Sequence, residues 1–145
     1  MMTMEVKIAK TSQDIEFCKE AVLAFRPNVD EENFVSQVSQ MMEDGFTLAY
    51  ISDDLETKAV AITGYRIINM LRTGPIIYID DLYTSPECRG KGYAKRLLDF
   101  VDDEGKKMGI NAVHLDSGYM LHDAHRLYLN QGYHLACNHF AKMIG

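Results

Sequence analysis

The sequence has no C-x-x-C pair, no low-complexity tract, no obvious internal repeat and no apolar run long enough to cross a bilayer. Each absence removes a class. A zinc ribbon lacks its ligands. Three cysteines, Cys18, Cys88 and Cys137, odd in number and far apart, make no disulfide framework. The N-terminus, Met1-Met2-Thr3-Met4-Glu5, has no basic region followed by an apolar stretch, so it does not read as a secretory leader, and the expected location is the cytoplasm, without a membrane partner. Basic residues are also in deficit: 15 Lys and Arg against 21 Asp and Glu give a net charge of -6. Nucleic-acid binding needs a basic face, so no nucleic-acid partner is expected. The acidic balance accords with a cationic acceptor without requiring one.

What is there is the makeup of one globular domain. The chain has 145 residues, 47% hydrophobic and 25% charged, with no composition shift to mark a boundary, so residues 1–145 read as a single domain. Met4 to Ala9 alternates as a first strand. Thr11 or Ser12 caps a helix carrying Ile15, Cys18, Ala21, Val22 and Phe25 at helical spacing, and Pro27 stops it. Asp30 or Asn33 opens a second helix that Gly45 ends. Phe46 to Ser52 and Lys58 to Ile68 read as a hairpin, and Ile76 to Thr84 as a central strand. A long amphipathic helix follows, with Leu97, Leu98 and Val101 on one face and Gly109 as its C-cap. Asn111 to Ser117 is a strand, Leu121 to Asn130 a short helix, and Tyr133 to Ile144 a closing strand or pair of strands. The order predicts an α/β (α+β) fold, a mixed central sheet with helices on its faces.

The segment that carries chemistry runs from Asp80 to Ala94. It is a strand, a turn, a glycine-containing loop and a helix start. The first turn of a helix has backbone N–H groups without intrahelical partners and a partial positive charge. Glycines let the backbone come close to a ligand, so the loop suits a phosphate, with Arg89, Lys91 and Lys95 adding positive charge. A P-loop would need Ser or Thr after its lysine, and Lys91 is followed by Gly92. A dinucleotide fingerprint would need a third glycine where Lys95 stands. The pattern that fits is Arg-x-x-Gly-x-Ala, spelled Arg89, Gly90, Lys91, Gly92, Tyr93, Ala94. It resembles the pyrophosphate loop of the GNAT acetyltransferase superfamily. Downstream, Ala124, Tyr128, Gly132 and Tyr133 match a second pattern of that family, and the order of elements agrees along nearly the whole chain. Where many members have an asparagine that helps hold the pantetheine arm, this chain has Leu121.

The resemblance implies a fold in which the fourth and fifth strands splay into a V that receives acetyl-CoA. Backbone groups of Leu82, Tyr83 and Thr84 would read the pantetheine arm, and Arg89 to Ala94 the pyrophosphate. It implies direct transfer of an acetyl group to an amine, on a small molecule or a peptide. An ammonium has no lone pair, so a base is needed; Asp116 and Asp81 match positions used in different members, and His114, His122 and His125 stay as further options. The Leu82 N–H would serve the oxyanion, and Tyr128 resembles the family's general acid. Residues Ser12 to Gly45 would form the acceptor wall. Members often pair through their last strands, which implies a homodimer through Tyr133 to Ile144. His122 and His125, three apart on a helix, lack a third ligand, so no metal is expected. The alternative is a non-catalytic acyl-CoA-binding or regulatory module of the same fold.

Overall fold

The computed structural model describes residues 4–145; the residues before them, on which the reading of the N-terminus begins, lie outside the described residues. Two compact units divide the chain, one ending at His114 and the other running Leu115–Gly145. The first contains β1 (Val6–Ile8), α1 (Ser12–Phe17), α2 (Lys19–Phe25), α3 (Phe34–Glu43), β2 (Thr47–Ser52), β3 (Ala59–Met70), β4 (Gly74–Thr84) and α4 (Tyr93–Met108). β5 (Val113–Leu115) ends at the first residue of the second unit, which also contains α5 (His122–Asn130). The sheet has the order β1-β2-β3-β4-β5, and the first three pairs are antiparallel. The route from β4 to β5 passes through α4, the crossover that parallel neighbours need.

Side-chain alternation explains why the sheet is covered on both faces. Leu48 and Tyr50 of β2 pack with Ile15, Ala21, Phe34 and Val38 beneath α1–α3. Ile51, one residue on, packs with Val60, Ala61, Tyr93 and Leu97 beneath α4. β3 is buried continuously from Ala59 to Tyr65 because both of its faces are covered.

Local chemistry sets the helix ends. Thr11 Oγ1 accepts from Asp14 N at 3.1 Å, and Asp14 Oδ2 accepts from Thr11 N at 3.1 Å, a capping box. The expected single helix to Phe25 is broken at Cys18. Its N–H bonds to Ile15 O, three residues back, and this tighter turn keeps Ile15, Cys18 and Ala21 on one buried wall. Asn33 precedes α3, where its amide donates to Asp30 Oδ2 at 2.6 Å.

β3 runs past the expected Ile68 to Met70, and β4 starts before the expected Ile76, at Gly74 opposite Met70. The closing strand expected over Tyr133 to Ile144 is absent: these residues have no regular structure. A strand needs a neighbour for its N–H and C=O groups, and among the described residues the sheet ends at β5. The apolar side chains of that segment, Leu135, Phe140, Met143 and Ile144, are exposed. No described helix is long and apolar enough to cross a membrane.

Candidate active site

The predicted phosphate loop begins where β4 ends. Pro86–Cys88 form one 3-10 turn, and the chain then enters α4 through Gly90 and Gly92, at φ 78° and 87°. Nothing lies within 4 Å of a Cβ built on either glycine, so conformation rather than space requires glycine there. The N–H groups of Gly90, Lys91 and Gly92 meet no acceptor among the described residues. Together with the first turn of α4 they form a run of unpaired donors, which suits an anion. Arg89 braces the loop: its Nε donates to Thr84 O at 2.9 Å, and its guanidinium lies 5.7 Å from the Tyr83 ring. Lys95, read with Arg89 and Lys91 as a cation of this loop, is drawn along the helix to Asp99 at 2.8 Å.

The end of β4 presents its backbone in two directions. Ser85 N donates to Val60 O at 2.8 Å, and pairs in an antiparallel ladder alternate between bonded and non-bonded. Tyr83 opposite Ile62 therefore bonds to β3, whereas the backbone groups of Leu82 and Thr84 point away from it.

Just upstream on β4 lies a charge cluster of Asp80, Asp81, Arg26 and Arg66. The register skips between Gly64 and Tyr65, leaving Asp80 of β4 without a partner, a β-bulge. Asp80 takes a bidentate pair from Arg66, at 2.7 Å on each oxygen. Arg26, from the end of α2, donates Nε to Asp81 Oδ1 at 2.9 Å and Nη2 to Asp80 O at 2.8 Å. The Asp81 side chain is only 20% exposed. Burial pushes its pKa up from 3.8, against the pull of Arg26 in the other direction. Asp81 forms one wall of a cavity of about 210 Å³ whose other sides come from α2, α3, β2 and β3. Gly64 makes room for it. A Cβ there would lie 2.7 Å from Asp81 Oδ2 and 2.4 Å from Phe46 Cζ.

The second unit holds the other predicted groups. Tyr128 of α5 has its pKa raised by burial, so its phenol is protonated at neutral pH, and its ring lies 5.9 Å from that of Tyr133. Asp116 pairs with His139, Oδ2 to Nδ1 at 2.6 Å. His125 Nε2 lies 2.8 Å from Gly118 O, and Leu121 is largely exposed. His114, in the first unit, is a half-buried residue of β5.

Sequence reading missed Arg26, Gly64 and Arg66. Gly64 gave a usable signal, because a glycine inside a strand marks a bulge or a close approach. Arg26 gave none: its partner stands 55 positions later. The acceptor-wall segment does line the cavity, through Val22, Phe34, Val38 and Met41. Its acidic residues Asp30, Glu31, Glu32, Glu43 and Asp44 are not among the lining groups.

A mixed sheet with helices on both faces, and a glycine turn with unpaired N–H groups at the head of α4, accord with one class, the acyl-CoA-dependent N-acetyltransferases. The family model described as Acetyltransferase (GNAT) family matches residues 15–133, and the chain belongs to that family. It is 30% identical over 107 residues to an uncharacterized N-acetyltransferase, YhdJ, of Bacillus subtilis (strain 168), covering 73% of this chain and 74% of that one. It is 23% identical over 114 residues to an aminoglycoside N(6')-acetyltransferase type 1 of Serratia marcescens, covering 76% and 78%. In fold it is similar to the aminoglycoside N-acetyltransferase AAC(6')-Iy solved in complex with CoA, with a TM-score of 0.81 at 14% identity over 97% of this chain and 95% of that one.

Proposed function

We propose that residues 1–145 act as one cytoplasmic domain that moves an acetyl group from acetyl-CoA to an amine acceptor by direct attack. The observation that carries this reading is the turn at Gly90 and Gly92, with its unpaired N–H groups at the head of α4. The donors of Gly90 to Ala94 hold the pyrophosphate, and the Arg89 side chain braces them. Leu82 and Thr84, whose backbone groups face away from β3, read the pantetheine arm; Tyr83 contributes its side chain, whose ring lies 5.4 Å from that of Phe25, tilted by 31°. Acetyl-CoA supplies the acetyl group: the acceptor nitrogen forms a C–N bond as the thioester C–S bond breaks, and the thiol leaves.

The chain supplies the proton chemistry. Asp81 accepts a proton from the acceptor ammonium; its raised pKa makes it a better base than an exposed carboxylate. Asp116 is the weaker choice, because His139 occupies its carboxylate. The Leu82 N–H donates to the carbonyl oxygen as negative charge grows there. The Tyr128 hydroxyl provides the proton for the departing thiolate. The exposed apolar residues of 133–144 support pairing of two copies, which a monomeric mass by light scattering would remove.

The test is acetyl-CoA binding by calorimetry, followed by thiol release with a panel of amines. Binding with release for one class of amine upholds the enzyme. Binding without release for any amine moves the chain to a non-catalytic acyl-CoA-binding module. Failure to bind acetyl-CoA removes the reading.

A further inference from the structure

We propose that the cavity beside Asp81 takes a free α-amino acid with an apolar side chain, its ammonium on Asp81 and its carboxylate on Arg26. This rests on the acetyltransferase reading and names the acceptor class for the same site.

Three features point to it. The first is the lining. Phe34, Val38, Met41, Phe46, Leu48 and Ile62 make an apolar pit, and Asp81 is the single carboxylate among the described residues that line it. Arg26, Asn28 and Gln37 are the other polar residues on the wall, so a polycationic amino sugar, with several ammonium groups, would find one counter-charge only. The second is size. The cavity measures about 210 Å³, which admits a leucine, methionine or phenylalanine side chain.

The third is charge placement. Asp81 Oδ1 and Arg26 Nε are 2.9 Å apart at the wall of the pit, a negative and a positive group side by side. An α-amino acid also carries opposite charges on neighbouring groups. A guanidinium has five N–H donors. Arg26 spends one on Asp81 and one on Asp80 O, which leaves three without a partner among the described residues, on a side chain 44% exposed. A substrate carboxylate can take these without breaking the pair to Asp81. Phe25 holds the guanidinium from beneath, 4.1 Å from its ring centroid, and so fixes its direction.

The experiment compares thiol release from acetyl-CoA with L-phenylalanine, L-leucine and L-methionine against phenethylamine, isopentylamine and 3-(methylthio)propylamine, which lack only the carboxylate, and against kanamycin. Calorimetry with L-phenylalanine and with acetyl-CoA runs on the same full-length protein. The amino acids should exceed their decarboxylated partners in kcat/KM by about tenfold or more, the worth of charge-assisted hydrogen bonds at a half-exposed site. Arg26→Gln should erase that preference by slowing the amino acids more than the amines. Equal use of both sets, a preference for kanamycin, or an amino-acid preference that survives in R26Q overturns the proposal and leaves the acetyltransferase standing. If acetyl-CoA does not bind, the acetyltransferase reading fails by itself. L-phenylalanine binding that weakens in R26Q then still upholds the pit, and absence of binding overturns it.

Discussion

Gly64→Ala tests the packing around Asp81 most directly. The added Cβ would sit 2.4 Å from Phe46 Cζ and 2.7 Å from Asp81 Oδ2, where ordinary contact begins at 3.4 Å. The Phe46 ring, 8% exposed and part of the cavity lining, must therefore retreat by about 1 Å. Overpacking of this kind costs about 1–3 kcal/mol. Replacing a strand glycine returns about 0.5–1 kcal/mol of backbone entropy. The net loss is then about 0–2.5 kcal/mol, or up to roughly 10 °C in Tm for a chain of this length. The Asp81 carboxylate must move by about 0.7 Å as well, and under its proposed role as base a displacement approaching 1 Å costs on the order of tenfold to a hundredfold in rate. Thermal unfolding by circular dichroism and thiol release from the same preparation read both effects. Gly45→Ala is the control: φ is 101° with nothing within 4 Å, so it should lose about 1–2 kcal/mol to backbone strain while kcat/KM stays within about twofold. A G64A protein with unchanged Tm and kcat/KM would refute the close approach of Gly64, Phe46 and Asp81.

Asp81→Asn should lower kcat/KM by about a hundredfold or more. Because burial raises the native pKa of Asp81 above 3.8, its contribution to stability is present at low pH and lost as pH rises through that raised value, so D81N should gain on the parent between acid and neutral pH in urea unfolding; a pH-independent difference counts against the shift. Arg26→Gln removes a cation that holds Asp81 down, so the acid limb of kcat/KM should move to higher pH; a limb that stays in place removes Asp81 as the base. Tyr128→Phe should cut kcat by about a hundredfold with acetyl-CoA affinity unchanged, and near-normal kcat would return Tyr128 to a packing role. Iodoacetamide should label exposed Cys137 first and half-buried Cys88 more slowly; Cys18, buried with its thiol pushed up to about 12, should react only in denaturant, and early labelling of Cys18 would contradict its place in the core.

Local signals made most of the fold legible. Thr11 with Asp14, the stripe on α4 and the glycine at its end each act within a few residues, and each element stands where its pattern put it. The break at Cys18 was invisible because the apolar spacing continues through it; the wall it packs against decides the turn. Tyr133 to Ile144 alternates well enough to read as a strand, but pattern cannot supply the neighbouring strand that a ladder requires. The turn before α4 was legible because conformation forces glycine at Gly90 and Gly92. The cluster at Asp81 was only half legible, since Arg26 and Gly64 reach it through pairing across the sheet and packing of α2.

That division follows from what each site would do under the proposed function. An anion cradle is made of consecutive backbone groups, so its requirements are written in consecutive residues. A base with a raised pKa needs the opposite, a carboxylate held away from water by side chains that are distant in the chain. An unpaired ionised group in such a wall is costly, and a fully paired one is a poor base. Arg26 meets both demands: it bonds Asp81 through a single N–H, remains nearly half exposed, and divides its charge with the Asp80 carbonyl. The bulge makes this division workable, because it takes Asp80 out of the ladder and turns its carboxylate to Arg66 while its carbonyl meets Arg26. Straightening the bulge would therefore do more than shorten a strand. It would shift Asp81 by one position, turn it to the opposite face of the sheet and remove the carboxylate from the pit altogether.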